Sequence, residues 1–432
     1  MKDSGIQWIG KIPDNWRVIR SKYVAVTYTG NSIKDEEKYM YEDEEEADLY
    51  VATKDVDAHT GNIIEHNSLY IKKTDDNFVR AYENDILMCI EGGSAGKKKT
   101  FLNRTVCFVN KLCCFHPYGI FPKYLYFILS SPHYENEFLL NVTGLIGGVS
   151  KNKLNNFYYP LPSFAIQEKI AAFLNKKSAE IDALIEVENK QIEKLKEYKQ
   201  AVITEAVTKG LDKSAPMKDS GVDWIGMIPQ DWEVIKAKFI ADSFEKGSGI
   251  TKEDVVVDGD SPCVRYGEIY TKYNHGFSHC FTRTNLANVS SPTYFEYGDI
   301  LFTCTGELVE EIGKNVVYIG EEKCLAGGDI IIMKHKQEPR FLNYAMNCIC
   351  SQMQKSYGKA KLKVVHISAY SIGSVYIALP DINTQKKIAD FIDKKIADID
   401  SLIEIKQKKI DELNEYKKSL IYEYVTGKKE VV

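Results

Sequence analysis

The sequence predicts an α+β protein: two tandem α/β globular domains separated by two long helices that pair as an antiparallel coiled coil with pseudo-two-fold symmetry. Three observations predict this. The opening "MKDSGIQWIGKIPDNW" returns at Met217 as "MKDSGVDWIGMIPQDW", half-way along a chain of 432 residues. The segment "PLPSFAIQEKIAAFLNKKSAEIDALI" (160–185) returns as "ALPDINTQKKIADFIDKKIADIDSLI" (378–403). After each copy of that segment, apolar residues recur at spacings of 3, 4 and 7 with no proline or glycine between them.

The repeat sets the boundaries. Residues 1–25 over 217–241 give 15 identities without a gap, including Trp8/Trp224 and Trp16/Trp232. These are all four tryptophans of the protein. The offset is 216 at the start and 218 at 160–185, so the copies share one architecture with small loop changes. The interiors have diverged, with a weaker match of "NDILMCIEGGSAGKK" (84–98) to "GDILFTCTGELVEEIGKN" (298–315). Like ends around unlike interiors fit a protein that recognises a different thing in each half. The expected organisation is a first globular domain at 1–162, a first spacer helix at 163–210, a second domain at 211–380 and a second spacer helix at 381–428.

Within each domain, short strand-like runs such as "NIIEHNSLYI", "TVCFVN", "DIIIMKH" and "SVYIAL" are punctuated by Gly and Asn turns. One helical segment is expected in each, at 122–139 and 339–356. Both begin with proline, whose missing N–H costs nothing in a first helical turn.

The spacer helices carry a seam. Ile181, Leu184, Ile192, Leu195 and Val202 in the first correspond to Ile399, Leu402, Ile410, Leu413 and Leu420 in the second, and these ten are the expected helix-pair interface. A helix of this size is roughly 65 Å long at 1.5 Å per residue and cannot bury such a stripe alone. Its obvious partner is the other copy, and antiparallel pairing closes the interface isologously. The outer faces carry mixed charge: residues 164–209 hold eight basic and eight acidic groups.

Bulk composition excludes several classes. Hydrophobic content of 44% and charged content of 27% are those of an ordinary soluble protein. No run approaches the roughly 18 apolar residues that span a bilayer, and Lys2, Asp3 and Gln7 break any signal-peptide pattern. The ten cysteines include no Cys-x-x-Cys pair and are expected to be reduced thiols of a cytoplasmic protein. Net charge is −5, yet nine acidic residues sit within 35–48, while lysines cluster at 97–99 and through 355–363. Local fields rather than the total decide whether a polyanion binds.

Catalytic motifs are missing. "GGSAGKKK" (92–99) is one residue short of a phosphate-binding loop, and Lys98 stands where Ser or Thr should hold magnesium. It reads as a glycine-bearing loop at a strand end. No Asn-Pro-Pro-aromatic methylation motif, nucleotide fingerprint, His-Glu-x-x-His helix or Gly-x-Ser-x-Gly elbow occurs. His275 and His279 are four apart but lie in a loop-like stretch. The expectation is a non-enzyme with no catalytic residue, no metal and no cofactor.

Two diverged domains, each opened by Trp-x-x-x-x-Pro-x-x-Trp and closed by Leu-Pro…Gln-x-Lys-Ile-Ala, resemble the specificity (S) subunit of Type I restriction–modification systems. The resemblance covers essentially the whole chain. Its strongest pieces are "LPSFAIQEKIAAFL" and "LPDINTQKKIADFI", preceded by Ser150 and Ser368 in matching places. Ile166-Gln167 and Thr384-Gln385 stand where the family usually has Glu-Gln. The resemblance implies that the interiors are target recognition domains reading a bipartite double-stranded DNA sequence, with the gap set by the helical spacer. It also implies two adenine-N6 methyltransferase (M) subunits and two restriction (R) subunits as partners, and no membrane. The competing expectation is a duplicated protein-interaction scaffold that never touches DNA.

Basic residues of the interiors are the expected DNA contacts. In the first domain they are Lys97, Lys98, Lys99, Arg104, Lys151 and Lys153. In the second they are Arg265, Tyr266, Lys272, Lys314, Lys359, Lys361 and Lys363. "YVATKDVD" (50–57) and "CVRYGEIY" (263–270) occupy equivalent places, and Arg265 could fork onto a guanine edge.

Overall fold

The computed structural model describes residues 1–431 except 59, 66, 67, 145, 146, 307 and 360–364. The chain forms two compact units, one of residues 1–189 and 406–432, the other of 190–405. The first long helix runs Phe164–Lys209 and the second Ile382–Val425. Each unit therefore holds the start of one long helix and the end of the other.

In the first unit, a small hairpin of Lys2–Asp3 and Lys11–Ile12 opens the chain. Arg17–Arg20 then pairs antiparallel with Tyr158–Leu161, which ties the start of the globular part to its end. Between them lie two four-stranded sheets. One is ordered 25–29, 112–117, 86–89, 99–101 and is antiparallel throughout. The other is ordered 69–72, 47–51, 106–108, 80–81 and contains one parallel pair, Leu49–Val51 beside Val106–Phe108. Trp8 and Trp16 are buried in a core that also takes Ile170 and Leu174 from the first long helix and Leu420 and Val425 from the second. Gly427 has φ +69°, and a Cβ there would lie 2.5 Å from Pro13 Cδ, so the close approach of the second helix's end to the opening motif requires glycine.

The second unit repeats this plan. Its hairpin is Met217–Asp219 with Met227–Pro229, and Glu233–Lys236 pairs with Tyr376–Leu379. Its sheets are ordered 241–246, 330–335, 300–303, 315–318, 276–277 and 282–284, 261–264, 324–326, 294–295. The parallel pair recurs as Cys263–Val264 beside Leu325–Ala326. Trp232 is buried with Ile203 and Val207 of the first long helix and Ile388 and Ile392 of the second. Trp224, unlike its counterpart Trp8, is 36% exposed and meets Tyr357 edge-on.

The long helices run antiparallel. In the first unit, Lys417 Nζ donates to both oxygens of Asp182 at 2.7 Å, and Glu188 accepts from Lys406 at 3.1 Å and Lys409 at 2.6 Å. In the second, Lys199 donates to Asp400 at 2.7 Å, which is the Asp182–Lys417 pair at an offset of 218.

The closing motif has a structural reason. Gln167 is buried, accepts from the Phe121 N–H at 2.8 Å and donates to the Pro162 carbonyl at 2.9 Å. Gln385 does the same with the Glu338 N–H (3.0 Å) and the Pro380 carbonyl (2.8 Å). Each glutamine thus satisfies backbone groups where a long helix starts against its domain. Ser150 and Ser368 are N-caps of the short helices Lys151–Leu154 and Ala369–Gly373, accepting from Lys153 and Ser371 N–H groups.

Three expectations change. The segments 122–139 and 339–356 are each two helices, Pro122–Ser130 with Pro132–Leu140 and Pro339–Asn347 with Ile349–Ser356. Pro132 drives Ser131 into the extended region, which ends the first helix there, whereas Cys348 breaks the second pair at ψ 162° without a proline. Among the described residues of "NIIEHNSLYI", only Leu69 onward is strand, with an isolated bridge from Ile63 to Val56. On the helices, Ile181, Ile192, Ile399, Ile410 and Leu420 are buried and Leu195, Val202 and Leu413 partly so. Leu184 and Leu402 are instead 49% and 48% exposed. They stand three residues past Ile181 and Ile399, while the residues one position further on, Ile185 and Ile403, are partly buried, so the seam passes the two leucines by. No helix among the described residues is long and apolar enough to cross a membrane.

Candidate nucleic-acid interface

In the second unit, strand Ser261–Val264 runs into helix Tyr266–Thr271 through Arg265, which is extended at φ −104° and ψ 153°. Glu268 is buried and fixes this turn: its carboxylate accepts from the Arg265 N–H at 3.0 Å, Thr282 Oγ1 at 2.8 Å and Lys272 Nζ at 2.9 Å. The acid is thereby neutralised from inside. The Arg265 Nε is buried with no hydrogen-bond partner among the described residues. A buried guanidinium nitrogen without an acceptor is costly, and an acceptor brought by a ligand would relieve it.

Arg265, Tyr266 and Lys272 line one open groove of about 920 Å³. Lys246 and Lys252 line it too, with Asp329 on its wall. Its floor is glycine-rich because two backbone segments nearly touch. A Cβ on Gly247 would lie 2.0 Å from the Gly327 carbonyl oxygen, and Ser248 N–H donates to Ala326 at 2.7 Å. Lys246, Lys252 and these glycines were missed in the sequence, although "EKGSGITKE" (245–253) and "AGG" (326–328) carry the signal of a close backbone approach flanked by lysines.

Other expected contacts lie elsewhere. Lys314 reaches toward the Tyr270 carbonyl at 3.4 Å and lines a different cavity with His275; burial pushes its ammonium below the usual range. Lys359 Nζ is bonded to the His366 carbonyl at 2.6 Å. Lys361 and Lys363 lie outside the described residues.

In the first unit the equivalent turn follows strand Ala47–Val51. Asp55 accepts from the Ala52 N–H at 2.8 Å as Glu268 does from Arg265, so Ala52 stands where Arg265 stands. Lys98 Nζ donates to the Thr53 carbonyl of this turn at 3.0 Å. The lysine run does not form one patch. Lys99 is buried in strand Lys99–Phe101 with its Nζ 3.7 Å from Glu135, and it shares a separate cavity with Lys97. Lys97 and Lys98 belong to the turn that leads into the strand, and only Lys99 is in the strand itself. The loop before them joins two paired strands, Ile86–Cys89 and Lys99–Phe101, as a hairpin. Arg104 is ion-paired with Glu65, Lys153 Nζ donates to the Asn141 carbonyl at 3.1 Å, and Lys151 is exposed. The acidic stretch begins with an exposed 3-10 helix, Asp35–Tyr41.

The sequence profile of the Type I restriction modification DNA specificity domain matches the chain twice, at residues 13–197 and 229–427. The Type I restriction enzyme MjaVIII specificity subunit of Methanocaldococcus jannaschii is 26% identical over 386 residues, covering 84% of this chain and 82% of that one. The putative type I restriction enzyme MjaX specificity subunit of the same organism is 27% identical over 315 residues, 71% of this chain and 68% of that one. Among solved structures, a chain from work on complex assembly and conformational transition of the type I restriction–modification system superposes with TM-score 0.70 at 14% identity, covering 96% of this chain and 98% of that one. The fold and the doubled domain define a specificity subunit, a recognition component and not a catalytic one. This chain belongs to the Type I restriction modification DNA specificity domain family.

Proposed function

We propose that the chain reads a bipartite double-stranded DNA target, one half-site per recognition domain (1–162 and 211–380), with the gap set by the spacer helices (163–210 and 381–428). The observation that carries this reading is the pair Ala52 and Arg265. Two domains with the same carboxylate-locked turn present an alanine in one and, in the other, a guanidinium whose buried Nε has no partner among the described residues. A shared frame with unlike reading positions suits unlike half-sites. Arg265 is the base-reading residue of the second half-site, forking onto a guanine edge. Lys246, Lys252 and Lys272 flank it as phosphate-positioning residues, and Lys98, Lys151 and Lys153 serve the first domain.

Partner docking is supported by the helices. Leu184/Leu402, Val187/Ile405 and Tyr198/Tyr416 are repeat-equivalent and exposed. Apolar side chains that recur in both copies without being covered suit two copies of one partner, the methyltransferase subunits. Two restriction subunits complete the assembly in a cytoplasmic setting.

The test is methylome sequencing of cells carrying this chain with its methyltransferase. Arg265→Ala should relax one position of one half-site and leave the other half-site and the gap unchanged. Identical methylated sequences for Arg265→Ala and the parent would remove Arg265 from base reading. Absence of any chain-dependent methylation or duplex binding would favour a scaffold that does not touch DNA.

A further inference from the structure

The first unit contains a cavity of about 350 Å³ between strand Lys99–Phe101, helices Pro122–Ser130 and Pro132–Leu140, and the two long helices. Five lysines line it, Lys97, Lys99, Lys123, Lys417 and Lys418, against two carboxylates, Glu135 and Asp182. Asp182 is already committed to Lys417 at 2.7 Å, and Lys418 pairs with Glu415 at 2.8 Å. Glu135 is a loose partner for Lys99 at 3.7 Å. Lys123 is half-buried over the rings of Phe101 (4.0 Å) and Tyr126 (4.8 Å), with no carboxylate partner among the described residues. Ser178 Oγ, on the same wall, is buried without a hydrogen-bond partner among the described residues. Burial pushes the ammonium groups of Lys99 and Lys123 below their usual range.

The duplication supplies an internal control. Lys123 follows Pro122 at the start of its helix, as Arg340 follows Pro339. Arg340 is held by Glu338 at 2.9 Å, Asp390 at 2.9 Å and Asp393 at 2.6 Å. The matching positions in the first unit are Phe121, Ala172 and Asn175, none of them charged. The second unit thus neutralises this cation with three of its own acids, and the first carries none of the three. A desolvated cation left without counter-charge destabilises a fold, so a counter-ion from outside is favoured there.

We propose that this cavity binds an oxyanion of the phosphate class, as inorganic phosphate or the phosphoryl group of a nucleoside monophosphate. A tetrahedral dianion offers enough acceptors for the ammonium groups of Lys97, Lys99 and Lys123 together with the Ser178 hydroxyl and the Asn175 amide. The volume leaves room beyond the phosphoryl group itself. The site is separate from the Arg265 groove and does not depend on the DNA-reading assignment.

The test uses the full chain, by calorimetric titration and thermal unfolding, with inorganic phosphate and AMP as probes against chloride at matched ionic strength. Phosphate should bind and raise the Tm, whereas chloride should not. Lys123→Met and, independently, Asn175→Asp should weaken binding at least ~10-fold, since the first removes the central charge and the second installs the acid of the second unit. Asn175 is exposed on the cavity rim, so its variant will fold, and it should be more stable than the parent in chloride alone. Tighter binding of AMP than of phosphate identifies a phosphomonoester as the ligand; equal or weaker binding assigns free phosphate. A Tm that phosphate raises no more than chloride, or an Asn175→Asp variant that responds like the parent, overturns the proposal.

Discussion

Glu188 and Lys406 occupy the same position in the two copies of the repeat, and they are hydrogen-bonded to each other at 3.1 Å. In an antiparallel pair of identical helices such a position faces its own copy, where two glutamates or two lysines would repel. Duplication within one chain lets the copies diverge to opposite charges. Lys409 adds a second bond to the buried Glu188 at 2.6 Å.

Charge reversal tests this crossing. Glu188→Lys places three lysines together and should destabilise the chain through like-charge repulsion at the crossing. Lys406→Glu should also destabilise it, by less because Lys409 remains. The double swap should recover at least half of the Glu188→Lys loss, read by denaturant unfolding. A double variant no better than Glu188→Lys alone would mean that the two positions are not coupled.

The buried glutamines of the closing motif should be as sensitive as core residues. Gln167→Leu strands the Phe121 N–H and the Pro162 carbonyl, and Gln385→Leu strands their counterparts at Glu338 and Pro380. Each should cost about 2–4 kcal/mol for two unsatisfied buried groups. Losses under about 0.5 kcal/mol would show that water or a local shift satisfies the backbone instead.

Gly427→Ala should destabilise the first unit by at least about 1 kcal/mol, because its φ is positive and its Cβ would meet the Pro13 ring. Gly427→Ala combined with Pro13→Ala should recover the steric part and leave the backbone part. Equal stability of the single variant and the parent would contradict the close packing.

Acid should weaken the second unit through two histidines. Burial pushes His275 and His335 down to about 4. In the unfolded chain both take a proton near pH 6.5. The unfolded state therefore binds more protons between these values, and stability is complete above pH 6.5 and is lost as pH falls toward 4. The slope should be about 1–3 kcal/mol per pH unit over that window. Urea unfolding at pH 7 and pH 5 should show a smaller drop for His275→Asn/His335→Asn than for the parent; an equal drop would assign the acid sensitivity elsewhere.

Much of the fold was legible because duplication is visible without coordinates. The offset of 218 placed both long helices, and the 3-4-7 spacing of Ile181, Ile192, Ile399 and Ile410 marked residues that are buried. Leu184 and Leu402 follow the same spacing yet face outward, because an apolar stripe wider than a two-helix seam looks no different in one dimension. The break at Ser131 was readable from Pro132, whereas the one at Cys348 had no local signal. The lysine run 97–99 looked like one patch, but the hairpin turn that ends at these residues sends Lys98 to the Thr53 carbonyl and Lys97 and Lys99 to a separate cavity.

By itself, the sequence determined the repeat, the helical segments and the family, because identity at fixed offsets and apolar periodicity are properties of a linear string. Only the tertiary structure decided that the Arg265 Nε lacks a partner among the described residues while Lys272 and Lys314 have theirs, and that Lys123 lacks the acids that hold Arg340. Whether a charge is free depends on which distant side chains folding brings within hydrogen-bonding reach, and Coulomb and hydrogen-bond energies act through space rather than along the chain.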